Sequence, residues 1–145
     1  DESALATVAD YAVRPALRRA AVALDAVVRG SRWTRGECPV CGAPPLLAEL
    51  GGADAERTLR CGRCAAAWVF PRVGCPACGT RDHTVLGYLH GEGEDAYRRA
   101  DWCRGCGSYV KAIAVLAPLG PDALLEEDLA SAGLDLVAID RGFHR

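Results

Sequence analysis

Residues 61–79 read CGRCAAAWVFPRVGCPACG, and the two Cys-x-x-Cys pairs at its ends, Cys61/Cys64 and Cys75/Cys78, decide how this chain folds. A two-residue gap lets one tight turn aim both sulfurs at a single tetrahedral ion, and two such turns complete a four-thiolate shell. Working outward, two more pairs stand on either side, Cys38/Cys41 and Cys103/Cys106. Those four pairs use all 8 cysteines of the chain, which is enough for two full shells.

The pairs also form an internal repeat. Cys38-Pro39-Val40-Cys41-Gly42 matches Cys75-Pro76-Ala77-Cys78-Gly79. A hairpin-length stretch follows each, then a second turn, then an aromatic residue, Trp68 in one copy and Tyr109 in the other. Duplication predicts sequential pairing, with Cys38, Cys41, Cys61 and Cys64 as site 1 and Cys75, Cys78, Cys103 and Cys106 as site 2. A cross-braced pairing is the alternative, and it would force residues 65–74 to cross between sites. Pro39 and Pro76 pre-set φ inside their turns. Gly42, Gly79 and Gly107 suit a positive-φ position after the second cysteine, where backbone N–H groups turn toward sulfur. Ala65 occupies that place after the second turn and departs from the pattern.

The bulk numbers narrow the chemistry. At 145 residues the chain makes one ordinary domain or two small ones. Half of it is apolar but only 6% is aromatic, so packing alone holds a cysteine-rich middle poorly. The N-terminus lacks a basic, apolar leader, and no run suits a membrane span. The expected compartment is therefore the cytoplasm, where thiols stay reduced and bind metal rather than form disulfides. The formal charge is −2, and two divalent ions in four-thiolate shells bring it to about −6, a poor match for nucleic-acid phosphates. Sulfur fills every coordination position, so no site is left for a catalytic water, and metal-assisted hydrolysis is not expected. The three histidines, His83, His90 and His144, read as solvated, and Glu92, Glu94 and Asp95 as a solvated hairpin tip.

Element signals frame this middle. Pro15 opens a helical pattern that runs to Gly30, with residues 3–13 as a separate, weaker helix. Short strand-forming runs follow at 46–50, 57–60, 67–70, 84–89, 97–102 and 109–116. After Pro118, Leu125, Leu129, Ala132, Leu136 and Ile139 recur at near-helical spacing. The expected fold is a small α+β metal-dependent one: two tandem rubredoxin-like or zinc-ribbon modules of short antiparallel hairpins, flanked by N- and C-terminal helices. The divisions are a helical lead-in at 1–35, a first four-cysteine ribbon at 36–72, a second at 73–117, and a C-terminal helix at 118–145. Trp33, Trp68 and Tyr109 are expected to roof the ribbons. Each shell holds iron of the rubredoxin type or zinc, which the sequence does not separate.

CPVCGAPP at 38–45, CGRCAAAWVFPRVGCPACG at 61–79, ADWCRGCGSYVKAI at 100–113 and EEDLASAGLDLVAIDRGFHR at 126–145 together resemble the formate dehydrogenase accessory protein FdhE family, in its C-terminal, cysteine-rich part. The family's chains are about twice as long, with a helical N-terminal half. The resemblance implies a cytoplasmic maturation factor, not an enzyme, whose partner is the catalytic subunit of a respiratory formate dehydrogenase. It also implies tandem rubredoxin-like sites associated with iron, and Arg72, Tyr109 and Lys111 as a possible partner surface. Two other readings stand beside it. One is a rubredoxin-like electron-transfer protein. The other is a zinc-ribbon nucleic-acid module using Arg57, Arg60 and Arg63, or Arg98 and Arg99, as a basic strand edge.

Overall fold

A computed structural model describes residues 2–52, 55–91 and 97–145. Glu92, Glu94 and Asp95 lie outside the described residues. The elements are α1 (Glu2–Gly30), β1 (Pro45–Gly51), β2 (Glu56–Cys61), β3 (Ala67–Val69), a 3-10 turn at His83–Val85, β4 (Leu86–Leu89), β5 (Arg98–Cys103), β6 (Tyr109–Ala114), α2 (Pro121–Ala130) and α3 (Ala132–Asp140). Each of the six strands overlaps one of the six runs read from sequence.

The strands form one sheet in the order β3-β2-β1-β6-β5-β4. Each repeat makes an antiparallel meander of three strands. The two meanders join through a parallel pairing of β1 with β6, which sets Leu47 beside Lys111 and Leu50 beside Ala114. The parallel sense follows from the repeat: the first and third strands of a meander run the same way, and the copies are added head to tail. The two ribbons are therefore fused along a shared sheet, a long-range pairing that no local sequence signal announces.

Alternation along the strands divides the core between the two faces. Ala48, Leu59, Trp68 and Ala112 cluster with Ala21 and Leu17 of α1, which packs against β3. On the opposite face, Leu47 and Ile113 meet Leu124 of α2, while Leu89, Ala100 and Tyr109 meet Leu134 and Ala138 of α3. Among the described residues, no helix is long and apolar enough to cross a membrane.

Two helical expectations are corrected. Residues 2–30 form one helix with Pro15 inside it, rather than a helix starting at Pro15. Pro15 removes one donor and is exposed, whereas ion pairs join Arg14 to Asp10 and Arg29 to Asp25 across single turns. The C-terminal segment breaks into two helices at Ser131, whose hydroxyl donates back to the Glu127 carbonyl at 2.7 Å. That break changes the helical phase. Leu129, Leu136 and Ile139 face solvent, and Leu124, Ser131, Leu134 and Ala138 are the buried positions.

Candidate metal centres

Four turns of one design carry the cysteines. In each, the N–H after the second cysteine donates to the carbonyl of the first: Gly42 to Cys38, Ala65 to Cys61, Gly79 to Cys75 and Gly107 to Cys103, all at 2.8–2.9 Å. The N–H of each first cysteine donates onward to Ala43, Ala66, Thr80 or Ser108, again at 2.8–2.9 Å. Such a turn needs a left-handed residue at its close, and φ is +72° at Gly42, +73° at Gly79 and +76° at Gly107. Ala65 adopts the same conformation, with φ +63°, so the sequence departure is one of residue and not of shape.

The turns bring the sulfurs together in two groups, Cys38, Cys41, Cys61 and Cys64, and Cys75, Cys78, Cys103 and Cys106. Within each group the sulfurs lie within 4.8 Å of one another. Cys38 is 3.5 Å from Cys64 and Cys41 is 3.5 Å from Cys61; in the second group the corresponding pairs are 3.6 and 3.8 Å apart. Four sulfurs held about 2.3 Å from one tetrahedral ion stand about 3.8 Å apart, whereas a disulfide needs about 2.05 Å. The donor set and its spacing thus suit a four-thiolate ion, and all eight cysteines are free thiols. The cross-braced alternative is not the grouping observed.

The groups differ in surroundings. Cys38, Cys61 and Cys64 are buried in the α1-side core, with Cys41 partly covered. In the second group Cys78 is exposed and Cys106 partly so. Hydrogen bonding from Cys61 and Cys64, aided by the backbone N–H groups of Cys41 and Val40, holds Cys38 down at about 4, while the same sulfur contacts push Cys64 up. Burial raises Cys103 to about 12. Burial also opposes ionisation of Cys106, but bonds from Ser108, Cys75 and Cys78 together outweigh it and bring that thiol to about 7. The Ser108 hydroxyl lies 3.0 Å from Cys106 Sγ and 3.4 Å from Cys75 Sγ. Ser108 was missed by sequence reasoning, although its place directly after Gly107 puts it at the closing bond of the turn.

The two groups are neighbours. A Cβ added to Gly36, just before the first turn, would stand 1.8 Å from the Pro76 carbonyl oxygen of the third, so only glycine permits this approach. Trp33 donates to the Glu37 carbonyl at 2.9 Å and Trp68 to that of Arg35 at 3.3 Å, which ties the lead-in segment over site 1.

Of the three residues expected at a partner surface, Lys111 and Tyr109 are buried. Lys111 is fully buried, its ammonium 2.8 Å from both Asp128 and Asp135 and 2.6 Å from the Asp128 carbonyl. Tyr109 is 6% exposed and donates to Asp135 at 2.8 Å. Together with Arg145, which bonds Asp128, they form the polar latch between β6 and the C-terminal helices. A lysine in a strand reads as solvent-facing, and only the sheet join explains its burial. Arg72 is exposed, with its guanidinium 3.4 Å from the Ala55 carbonyl. The supposed basic strand edge is likewise dispersed: Arg57 and Arg60 are buried, Arg60 pairs with Glu49, Arg63 with Asp10, Arg98 with Glu127 and Arg99 with Asp101. His83 and His90 are exposed as expected. His144 is exposed too, but its backbone pairs with Gly107 and Tyr109 beside the last turn.

The chain is similar to a curated FdhE homologue of Stutzerimonas stutzeri, at 38% identity over 112 residues, or 74% of this chain and 35% of that protein. It also matches the crystal structure of the FdhE protein from Pseudomonas aeruginosa, with a TM-score of 0.64 and 33% identity over 77% of this chain and 39% of that one. Over most of its length this chain resembles FdhE proteins. Other FdhE homologues match similarly, that of Aquifex aeolicus at 35% identity over 118 residues and that of Rhizobium meliloti at 32% over 139. The chain spans 35 to 45% of the length of these curated FdhE relatives. No protein-family model matches it.

Proposed function

We propose that this chain is the metal-bearing part of a cytoplasmic accessory factor that binds the catalytic subunit of a respiratory formate dehydrogenase during its maturation. The relationship to FdhE, over a span that includes both cysteine groups, carries this reading. Residues 36–72 and 73–117 each contribute one ion-holding ribbon, with Cys38, Cys41, Cys61 and Cys64 on one ion and Cys75, Cys78, Cys103 and Cys106 on the other. Bound there, zinc supplies a cross-link alone, and iron adds one-electron exchange. The protein's own residues hold the thiolates in place by the closing bonds of the turns and limit solvent at site 1. The factor acts by binding and not by turnover.

The reading is tested by co-purification with a formate dehydrogenase catalytic subunit and by formate oxidation in cells lacking the factor. Stable association and loss of formate oxidation are expected. A fully active dehydrogenase in its absence would refute the reading.

A further inference from the structure

β3 stands at one end of the sheet and, among the described residues, pairs with β2 alone. Phe70 donates to the Arg57 carbonyl and Cys61 to that of Ala66, both at 2.9 Å. In the antiparallel register this leaves the N–H and C=O of Ala67 and Val69 pointing away from β2. An open edge of this kind is a template for another strand, and proteins blunt it with charge, proline or a covering loop. β3 carries neither charge nor proline, and Val69 is 55% exposed.

A cavity of about 890 Å3 separates β3 from residues 28–34, where α1 ends and the chain turns toward site 1. Trp68 and Phe70 on the α1 face line it, and so do Ala67 and Val69 on the opposite face. A space lined from both faces of a strand lies along its edge. The rim is basic, although the chain as a whole has a net charge of −2. Exposed Arg29, Arg32 and Arg72 line the cavity against one carboxylate, that of Glu56. Arg29 also pairs with Asp25 at 2.7 Å, whereas Arg32 makes no ion pair among the described residues. Val28 and Trp33 add an apolar wall. An added strand sends alternate side chains to opposite faces, so alternating acidic and apolar residues suit this edge.

We propose that the β3 edge receives an extended acidic segment of a partner polypeptide, which pairs antiparallel with Ala67 and Val69 as an added strand. Its carboxylates answer the basic rim, and its apolar side chains cover Val28 and Trp33. The edge is independent of the accessory-factor reading, which bears only on the polypeptide that supplies the segment.

The test follows backbone amide exchange by NMR in the metal-loaded, isotope-labelled protein. Without a ligand, Ala67 and Val69 should exchange at least about tenfold faster than Trp68 and Phe70, whose N–H groups face β2. The hexapeptide Glu-Val-Glu-Val-Glu-Val, acetylated and amidated, should bind saturably at fixed ionic strength and slow both edge amides tenfold or more. Its Lys-Val counterpart should bind at least tenfold more weakly. The acidic peptide with every backbone nitrogen methylated should protect neither amide. Val69→Pro removes one outward N–H without touching the β2 pairing, and should lower affinity tenfold or more while both ions stay bound. Edge amides already slow in the free protein, no saturation, equal binding of the two peptides, or saturation without protection overturns the proposal. Undiminished affinity in a folded Val69→Pro protein does the same, as does saturable binding of an oligothymidylate but not of the acidic peptide. The peptide contrasts need no variant, so they decide even if Val69→Pro fails to fold.

Discussion

Site 1 and site 2 share one backbone design but stand in different surroundings. The turns of site 1 close on Ala43 and Ala66, those of site 2 on Thr80 and Ser108. Site 1 is walled by the α1-side core, while site 2 leaves Cys78 exposed and sets a hydroxyl against two of its sulfurs. Duplicated sequence thus provides one coordination geometry twice, and the residues around it make one centre enclosed and the other accessible. An enclosed four-sulfur centre suits a structural cross-link; an accessible one suits exchange with solvent or a partner.

The largest effect that separates them comes from removing one ligand. Cys61→Ser removes a sulfur shared by site 1 and the core, and should cost that ion and the order of β1–β3, since such an ion contributes on the order of 10–16 kcal/mol of apparent folding energy. Cys78→Ser should cost the site 2 ion but leave the site 1 half folded. Metal stoichiometry with amide NMR spectra checks both; equal damage from the two substitutions would abolish the distinction. With a chelator in excess, native protein should lose its ions in two phases, site 2 first. Loss in a single phase would argue that solvent reaches the sites equally.

The next effect concerns how the second half is held. It relies on the buried Lys111 latch where the first half has α1. Lys111→Met leaves Asp128 and Asp135 facing a buried methyl group and should destabilise the protein by about 3–5 kcal/mol, measured by denaturant unfolding. A cost below about 1 kcal/mol, the range of a surface ion pair, would mean that the latch is ornamental. The latch also titrates. Burial favours protonation of Asp128, but bonds from Arg145 and Lys111 outweigh it and hold its pKa below the ordinary carboxylate value. Its folded pKa is thus the lower one, so its contribution is complete above about pH 4 and is lost as pH falls through the folded value. The stability gap between native protein and Asp128→Asn should therefore stay level above about pH 5 and narrow as pH falls below about 4. A gap that stays constant, followed by thermal melts, would contradict the assignment.

The smallest effect lies in the turns themselves. Ala65 is held at φ +63° where the other three turns have glycine. Ala65→Gly should change stability by no more than about 1 kcal/mol, because relief of left-handed strain offsets added chain entropy. Gly42→Ala introduces the strain and should cost about 1–2 kcal/mol. Equal responses at the two positions, compared by thermal unfolding, would remove the case that the turns are one design.

These comparisons also mark where sequence is informative. The cysteine groups were legible because a turn of four residues is a local object, and the repeat supplied the partner of each turn. The six strands were legible from short apolar runs between turn residues. The parallel join of β1 to β6 was not, since it pairs segments more than 60 positions apart with no local mark. The burial of Lys111, Tyr109 and Arg57 depends on packing across that sheet and has no local mark either. The break at Ser131 leaves no mark in the sequence because Leu129, Leu136 and Ile139 keep a helical period on the exposed face.

The most direct test of two separate four-sulfur centres is metal analysis of anaerobically purified protein beside its Cys61→Ser and Cys78→Ser variants. The account predicts two ions per native chain, the loss of the site 1 ion in Cys61→Ser, and one ion retained in Cys78→Ser. Both ions retained in either variant, or a metal-free native chain with paired disulfides, would contradict it.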